Sequence, residues 1–175
     1  MGLGSTSGEV AVFRSAHYPE FLLKDPFGRF VSQDDFQGRF LLVLFGFTQC
    51  PETCPMTLSG IAEVMDSLGE KADRVQPLFI SVDPGRDAGT DLARYTGSFH
   101  PAILGVTGSP GAILAAAKTF HVLYDRDSNT ESSDSFDRVL SPGLILLGPD
   151  GGWLRTFPYG TSADAISADL SRRLE

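Results

Sequence analysis

The sequence predicts one α/β domain in which helices flank a mixed β-sheet. Two short apolar runs, at residues 40–47 and 75–82, have the length and continuous hydrophobicity of strands that are buried on both faces. A helical pattern between them completes a strand–helix–strand unit, which makes the two strands parallel neighbours. The 175 residues show no composition shift and are enough for one full core. We therefore assign residues 16–175 to a single domain, and residues 1–15, which include a Gly/Ser-rich opening, to a flexible segment that is an added or trimmed linker.

Composition and charge exclude several classes of protein. The chain is 42% hydrophobic and 21% charged and contains 13 Phe, which is typical of a packed globular protein and not of a disordered one. The net charge of -8 comes without a basic cluster, so nucleic acid is not expected as a partner. The longest apolar run has eight residues, whereas a membrane helix needs about 20. We expect a soluble domain that meets a membrane only through a segment absent from this chain.

Turn and helix signals predict the elements of the first two thirds. The turn Asp25-Pro26-Phe27-Gly28 has apolar residues on both sides and predicts an N-terminal β-hairpin over residues 21–31. Apolar residues recur at three- and four-residue intervals from Pro55 and stop at Gly69, which predicts an amphipathic helix. The chain then predicts a weak helix at 91–95, a short strand at 102–105, and a helix from Ser109-Pro110 to about residue 120.

The last third predicts a loop, a hairpin and a helix. The acidic, Ser-rich stretch 125–138 has the composition of an exposed loop. The apolar runs at 144–147 and 153–157 flank the turn GPDGG and predict a second hairpin. Thr161 and Asp164 have the spacing of a capping box, which would start a helix that ends near residue 174. This order of strands, helical crossovers, hairpin and final helix is that of the thioredoxin fold.

The two cysteines, Cys50 and Cys54, follow a predicted buried strand and precede a predicted helix. Because Pro55 has no amide proton, we predict that the regular helix begins there and that both cysteines lie in the loop before it. The positive end of the helix favours thiolates, which serve redox chemistry or Cu(I) binding equally well. We favour these functions over a pair of inert buried cysteines because prolines flank the pair.

The three histidines, His17, His100 and His121, lie outside the ligand spacing of the cysteine pair. A structural zinc site is therefore poorly supported, and we interpret these histidines as ordinary surface or loop residues.

Four segments together resemble the Sco/SenC family of thioredoxin-fold proteins: DFQGRFLLVLFGFTQCPETCPMTL, FISVDPGRD, ILGVTGSP and LLGPDG. The match runs from about residue 21 to the C-terminus. It implies a periplasmic or otherwise extracytoplasmic setting such as the inner mitochondrial membrane, and a membrane anchor in the full-length precursor. It also implies copper handling or thiol reduction in maturing the CuA centre of cytochrome oxidase. The family's two cysteines match Cys50 and Cys54, and the Asp of its SxDPxRD segment matches Asp83.

The sequence departs from this family at the third copper ligand. The family carries a histidine in an Asp-His-Ser/Thr segment shortly before the strand that leads to GPDG. Counting back from Gly148, that position holds Leu140. The family's three-ligand copper site therefore cannot be carried over, so we expect no required cofactor. Copper held by Cys50 and Cys54 with an unidentified third ligand stays an alternative.

Pro142 stands nine residues before Gly151, as the cis-proline of TlpA-type thiol reductases stands before the Gly of a similar turn. In that fold a cis-proline packs beside the cysteines and leaves backbone groups free to pair with an extended substrate chain. We predict that the Ser141-Pro142 bond is cis, the alternative being a proline that merely opens a strand.

Asp83 is expected at the carboxyl end of the second buried strand, where α/β folds bind ligands. There it is either a proton relay beside the thiols or a turn residue before Pro84.

The leading hypothesis is thiol–disulfide exchange on a partner protein, such as a respiratory oxidase subunit or assembly factor. Cys50 would attack a substrate disulfide and Cys54 would resolve the mixed disulfide. Two alternatives stay open: a copper chaperone that uses the same two sulfurs, and a peroxidase-like or redox-sensing thiol protein.

Overall fold

A mixed five-stranded sheet forms the centre of the computed structural model, which describes residues 17–50, 52–126, 136–140 and 143–175. Within these ranges the strands are β1 (Leu22–Lys24), β2 (Phe30–Ser32), β3 (Phe40–Gly46), β4 (Val75–Ser81), β5 (Leu104–Val106), β6 (Leu123–Arg126), β7 (Phe136–Leu140), β8 (Leu144–Leu147) and β9 (Trp153–Phe157). The sheet order is β9-β8-β3-β4-β5. Strands β3, β4 and β5 are parallel, and β8 runs antiparallel to both of its neighbours. The predicted thioredoxin-like α/β fold is confirmed.

In the described part of the chain, four α-helices cover the two faces of this sheet: α1 (Thr53–Leu68), α2 (Gly89–Gly97), α3 (Pro110–Thr119) and α4 (Ala163–Arg173). Two 3-10 helices, Gln33–Phe36 and Gly69–Arg74, lead into β3 and β4. Buried side chains of α1, α2 and α4 pack on one face of the sheet, and those of α3 and the β1–β2 hairpin pack on the other. None of the helices in the described ranges is long and apolar enough to cross a membrane.

Strand β3 is the centre of the core, and all seven of its residues are buried. Because side chains alternate along a strand, Leu41, Val43 and Phe45 join the cluster with α3, whereas Leu42 and Leu44 join the cluster with α1. A strand covered on both faces has no polar side to alternate with, which explains its continuous apolar sequence. This strand ends directly before the cysteine segment, so the segment is anchored to the buried centre of the core.

Most predicted elements match the structure, and two of them are shifted. The short strand expected at 102–105 is instead Leu104–Val106, because pairing with Leu78–Ile80 of β4 sets its register. The final helix is capped by Ser162, whose hydroxyl accepts the Ala165 amide, and not by Thr161. Thr161 instead donates its hydroxyl to the carbonyl of Pro158, which holds the turn before the helix.

The predicted loop at 125–138 is wrong at both ends. Strands β6 and β7 pair antiparallel, with Leu123 opposite Leu140 and Asp125 opposite Arg138. Backbone hydrogen bonds form such a two-stranded ribbon whatever its side chains are, so polar composition did not exclude it. Residues 1–16, 51, 127–135, 141 and 142 lie outside the described residues, and with them lie the predicted linker and the predicted cis bond before Pro142.

Candidate dithiol active site

Cys50 and Cys54 lie between the end of β3 and the first turn of α1. The chain leaves β3 at Gly46 and turns back, since the Cys50 amide donates to the carbonyl of Phe47 at 3.1 Å. Cys50 is partly exposed, whereas Cys54, in the first turn of α1, is 4% exposed and packs in the core between the helix and the sheet. The two thiols are both free, and the first belongs to a partly exposed residue while the second belongs to a buried one.

The predicted position of Cys54 in the loop is wrong, because α1 already begins at Thr53. Pro55 is the third helical residue, and the amides of the first turn have no partner within a helix, so a proline there removes no helical hydrogen bond. Glu52 is the N-cap residue but its side chain accepts no capping bond. The Cys50 sulfur takes that place, since the Cys54 amide donates to its Sγ at 3.3 Å. The first thiol is thus itself a cap of the helix that carries the second.

These contacts separate the acidities of the two thiols. The pKa of Cys50 is lowered to about 6, first by the hydrogen bond that the Cys54 thiol donates to its sulfur. Burial opposes this change, while the amides of residues 52–54 favour the thiolate. The pKa of Cys54 is raised by that same hydrogen bond, by burial, and by the negative charges of Cys50 and Asp87. Near neutral pH the pair therefore consists of one thiolate and one thiol.

Gly46 allows the buried sulfur to sit against β3. A Cβ at this position would lie 2.5 Å from Cys54 Sγ and 3.0 Å from Cε1 of Phe79. Real Cβ atoms do not approach that closely, so any larger residue must displace the thiol or the ring. The glycine is the last residue of β3, and its small size is what gives Cys54 room.

Asp87 is the acidic side chain whose charge acts on the dithiol, and the sequence analysis did not select it. It is fully buried and accepts hydrogen bonds from Thr48, at the start of the cysteine loop, and from Ser81 at the end of β4. Its charge raises the pKa of Cys54. The available signal was the second Asp of FISVDPGRD, but one sequence cannot tell which Asp of that segment turns inward.

Asp83, the predicted proton relay, lies two residues after β4 and is 1% exposed. Its amide donates to Ser81 Oγ at 3.1 Å, and its carboxylate lies 3.9 Å from Nε of Arg86. Its carbonyl accepts the amides of Arg86 and Asp87, so the residue opens the turn that brings Asp87 inward. The turn role is therefore present, and the relay role stays a prediction.

An open groove of about 400 Å³ runs beside the N-terminal half of α1. Thr53 and Met56 line it from the helix. On the other side it is lined by Phe157 at the end of β9, by Tyr159 and by Ile166 of α4. Met56 is 71% exposed, which is high for an apolar side chain one turn from a reactive thiol. The groove offers an apolar surface along the helix that carries Cys54.

Comparison with known proteins identifies the relatives of this site. A model of the SCO1/SenC family matches residues 10–175. The chain belongs to the SCO1/SenC family. It is similar to the mitochondrial SCO2 homolog of Bos taurus, with 36% identity over 158 residues that make up 89% of this chain and 59% of that protein. This Sco-family chain thus spans about three fifths of the length of that curated relative.

Solved Sco structures share the fold. The copper-bound ScoI of Bradyrhizobium japonicum has 30% identity and a TM-score of 0.80, over 90% of this chain and 99% of that one. The apo Sco1 of Thermus thermophilus has 31% identity and a TM-score of 0.81, over 90% of this chain and 92% of that one. A copper-bound yeast Sco1 has 27% identity and a TM-score of 0.81, over 91% and 88% of the two chains.

The donor set of this Sco-family chain fits copper only in part. Cysteine sulfurs are ligands that Cu(I) prefers, and the Cys50 sulfur already accepts a hydrogen bond that favours its thiolate form. In the described ranges no group of three or more His, Cys, Asp or Glu side chains could hold a metal ion. The position expected to carry a histidine is Leu140, at the C-terminal end of β7. The two sulfurs are the donor type of a two-coordinate Cu(I) site, and within the described residues no imidazole joins them to complete a group of three.

The pH dependence of alkylation tests the separated acidities. Since only the thiolate reacts, iodoacetamide should modify Cys50 with a midpoint near pH 6, about tenfold faster at pH 7 than at pH 5. Cys54 should stay unmodified over this range. Mass spectrometry of the quenched protein measures both rates. A midpoint for Cys50 near that of an ordinary thiol would contradict the arrangement.

Gly46→Ala tests the close approach of Cys54 to β3. The added Cβ must push against the sulfur and the Phe79 ring, so we expect a loss of about 1–3 kcal/mol in the free energy of unfolding. Gly60→Ala is the matched control, because a Cβ at Gly60, inside α1, meets nothing within 4 Å and improves helix propensity. Urea denaturation compares the two variants. Equal stability of both would mean that the thiol is not held against the strand.

Proposed function

We propose that this Sco-family domain carries out thiol–disulfide exchange on a partner protein outside the cytosol, in the maturation of a copper centre of a respiratory oxidase. The observation that carries the proposal is the hydrogen-bonded pair itself, with a partly exposed thiolate at Cys50 and a buried thiol at Cys54. The partner and the extracytoplasmic setting rest on the family resemblance. Mitochondrial Sco proteins and a Bacillus anthracis lipoprotein of this fold are consistent with that setting.

The first step is attack on the partner. The Cys50 thiolate forms a bond to one sulfur of the substrate disulfide, whose S–S bond breaks, and the other substrate sulfur leaves as a thiolate. The product is a mixed disulfide between Cys50 and the partner. Cys50 is suited to this step because its charge is stabilised at the N-terminus of α1 and its sulfur is accessible.

The second step uses Cys54. The charge of Cys50 and the bond to its sulfur are two of the causes that keep Cys54 protonated, and both vanish once Cys50 is in the mixed disulfide. The pKa of Cys54 then falls. Its thiol loses its proton and attacks the Cys50 sulfur, the mixed disulfide breaks, and the second substrate thiolate leaves. Two electrons pass to the substrate and an intramolecular Cys50–Cys54 disulfide forms.

The groove along α1 provides a place for the partner. Its apolar lining lies on the helix whose N-terminus holds the dithiol, so a chain bound there would present its own sulfurs near Cys50. Exposed Met56 is suited to such a contact, since its flexible thioether adapts to different surfaces.

Single-cysteine variants test the exchange. Cys54→Ser should trap a mixed disulfide with an oxidised CuA-type domain, because the resolving thiol is missing. Cys50→Ser should lose about a hundredfold or more in the reduction rate, because the remaining thiol is buried and protonated. Gel analysis under non-reducing conditions measures both, and peroxide consumption is followed in parallel. Reduction that survives Cys50→Ser, or thiols that stay free under mild oxidation of the folded protein, would overturn the proposal. Fast peroxide turnover without exchange would favour a peroxidase.

A second candidate function, copper transfer, is favoured by the copper-bound relatives of about 30% identity. In that case Cys50 and Cys54 would hold Cu(I) as cargo, and a third ligand would be needed for tighter binding.

Leu140→His tests this second function. An imidazole at the family's ligand position should strengthen copper binding about tenfold or more, because it completes a donor set that two sulfurs leave open. Leu140→Asn is a control that introduces a polar side chain without an imidazole. Competition with a chelator measures the affinities. If the wild type already binds as tightly as Leu140→His, another residue serves as the third ligand.

A further inference from the structure

Asp87 is a buried carboxylate that no cation neutralises within the described residues. It is fully buried, and no ion pair formed by the described Lys, Arg or His side chains includes it. A buried charge is costly unless hydrogen bonds replace its hydration. Three donors meet it: the amide of Thr48 at 2.7 Å and the hydroxyl of Ser81 at 2.7 Å on Oδ2, and the hydroxyl of Thr48 at 2.5 Å on Oδ1.

These bonds connect the cysteine loop to the neighbouring strand. Thr48 is two residues before Cys50, and Ser81 is the last residue of β4, next to β3 in the sheet. The amide of Asp87 donates to the carbonyl of Asp83 at 2.9 Å, which fixes the carboxylate in the turn after β4. Both the backbone and the side chain of Thr48 are held, so the loop has little freedom to rotate between Phe47 and Cys50.

We propose that Asp87 is the positioning residue of the dithiol, holding the loop so that the Cys50 sulfur stays at the first turn of α1. The inference rests on the proposed exchange, since it concerns how the same two thiols are brought together. A fixed loop raises the effective concentration of one sulfur at the other, which favours the intramolecular disulfide. Asp87 touches neither substrate nor sulfur in this role and acts through Thr48.

A carboxylate holds these three donors more strongly than an amide does, because its bonds are charge-assisted. All three partners approach as donors, and a carboxylate accepts on both oxygens, whereas the amide nitrogen of Asn is a donor only. The Asn oxygen can still accept from the Thr48 amide and the Ser81 hydroxyl, and the Thr48 hydroxyl can turn to accept from the Asn nitrogen, but the negative charge that strengthens all three bonds is lost. Thr48→Val loses only the hydroxyl, and Thr48→Ser keeps it.

The equilibrium of the dithiol with glutathione tests the proposal in the whole chain. We expect Asp87→Asn to lower the equilibrium constant for Cys50–Cys54 disulfide formation about tenfold, which corresponds to about 30 mV. Thr48→Val should lower it about threefold, and Thr48→Ser should restore the wild-type value. Urea denaturation of each variant reports stability separately.

Asp169→Asn is the matched control. Asp169 is also buried, at 4% exposure, but its partners are Arg172 and Arg173 on its own helix and Arg155 on β9, and not the cysteine loop. It should lose stability without changing the glutathione equilibrium. An unchanged equilibrium in Asp87→Asn, or an equal change in Asp169→Asn, would overturn the positioning role.

A second readout separates this role from the proposed function. The rate at which reduced protein reacts with Ellman's reagent at pH 7 reports how the loop presents Cys50, whether or not a disulfide ever forms. Asp87→Asn should lower it about fivefold, and Thr48→Ser should match the wild type. If the wild type forms no reversible disulfide but these rates change as expected, exchange fails and positioning stands. If Asp87→Asn changes neither the rate nor the equilibrium, the positioning role of Asp87 is rejected and the proposed exchange is not.

Discussion

The hydrogen bond from the Cys54 amide to the Cys50 sulfur is the constraint on which the site depends. It satisfies an amide at the start of α1 that has no partner in the helix, and it also stabilises negative charge on the sulfur. The helix is thus capped by its reactive group, so the stability of its first turn and the reactivity of the thiol have one cause. The strand that precedes it, the glycine that makes room for the second sulfur and the buried Asp87 all serve to keep this contact.

Much of the fold could be predicted because its signals are local or repeat regularly. The run at β3 is apolar at every position, and the helix after it shows its three- and four-residue period, so the strand–helix–strand unit follows directly. The hairpin of β8 and β9 was predicted to the residue, since a turn rich in Gly, Pro and Asp lies between two apolar runs. The resemblance then extended the local pattern to a family that the comparisons show.

The parts that could not be predicted depend on contacts between distant segments or on tolerance at a helix end. The sequence predicts Pro55 as the first helical residue, whereas it is the third. The first turn of a helix accepts proline at several positions, so the sequence does not tell which of these positions Pro55 occupies. The bonds from Thr48 and Ser81 to Asp87 join residues that lie up to 39 positions apart. Only the packing of β3 beside β4 brings them together, and no spacing in the sequence contains that information.

The missing imidazole gives the protonation of Cys54 more weight than it has in a three-ligand site. Copper can bind both sulfurs only if Cys54 loses its proton, and the causes that raise its pKa make that loss costly at neutral pH. A histidine would add binding free energy to offset this cost, and it would remain as a ligand when the sulfurs are oxidised. With Leu140 in its place, the donors that match the family's motif in this chain are the two cysteines, which could hold copper only when reduced. Attack by Cys50 on a disulfide removes two of these causes before Cys54 has to react. Copper on the Cys50 sulfur would remove the same two, but the burial of Cys54 and the charge of Asp87 remain, and the imidazole that could offset their cost is missing at position 140.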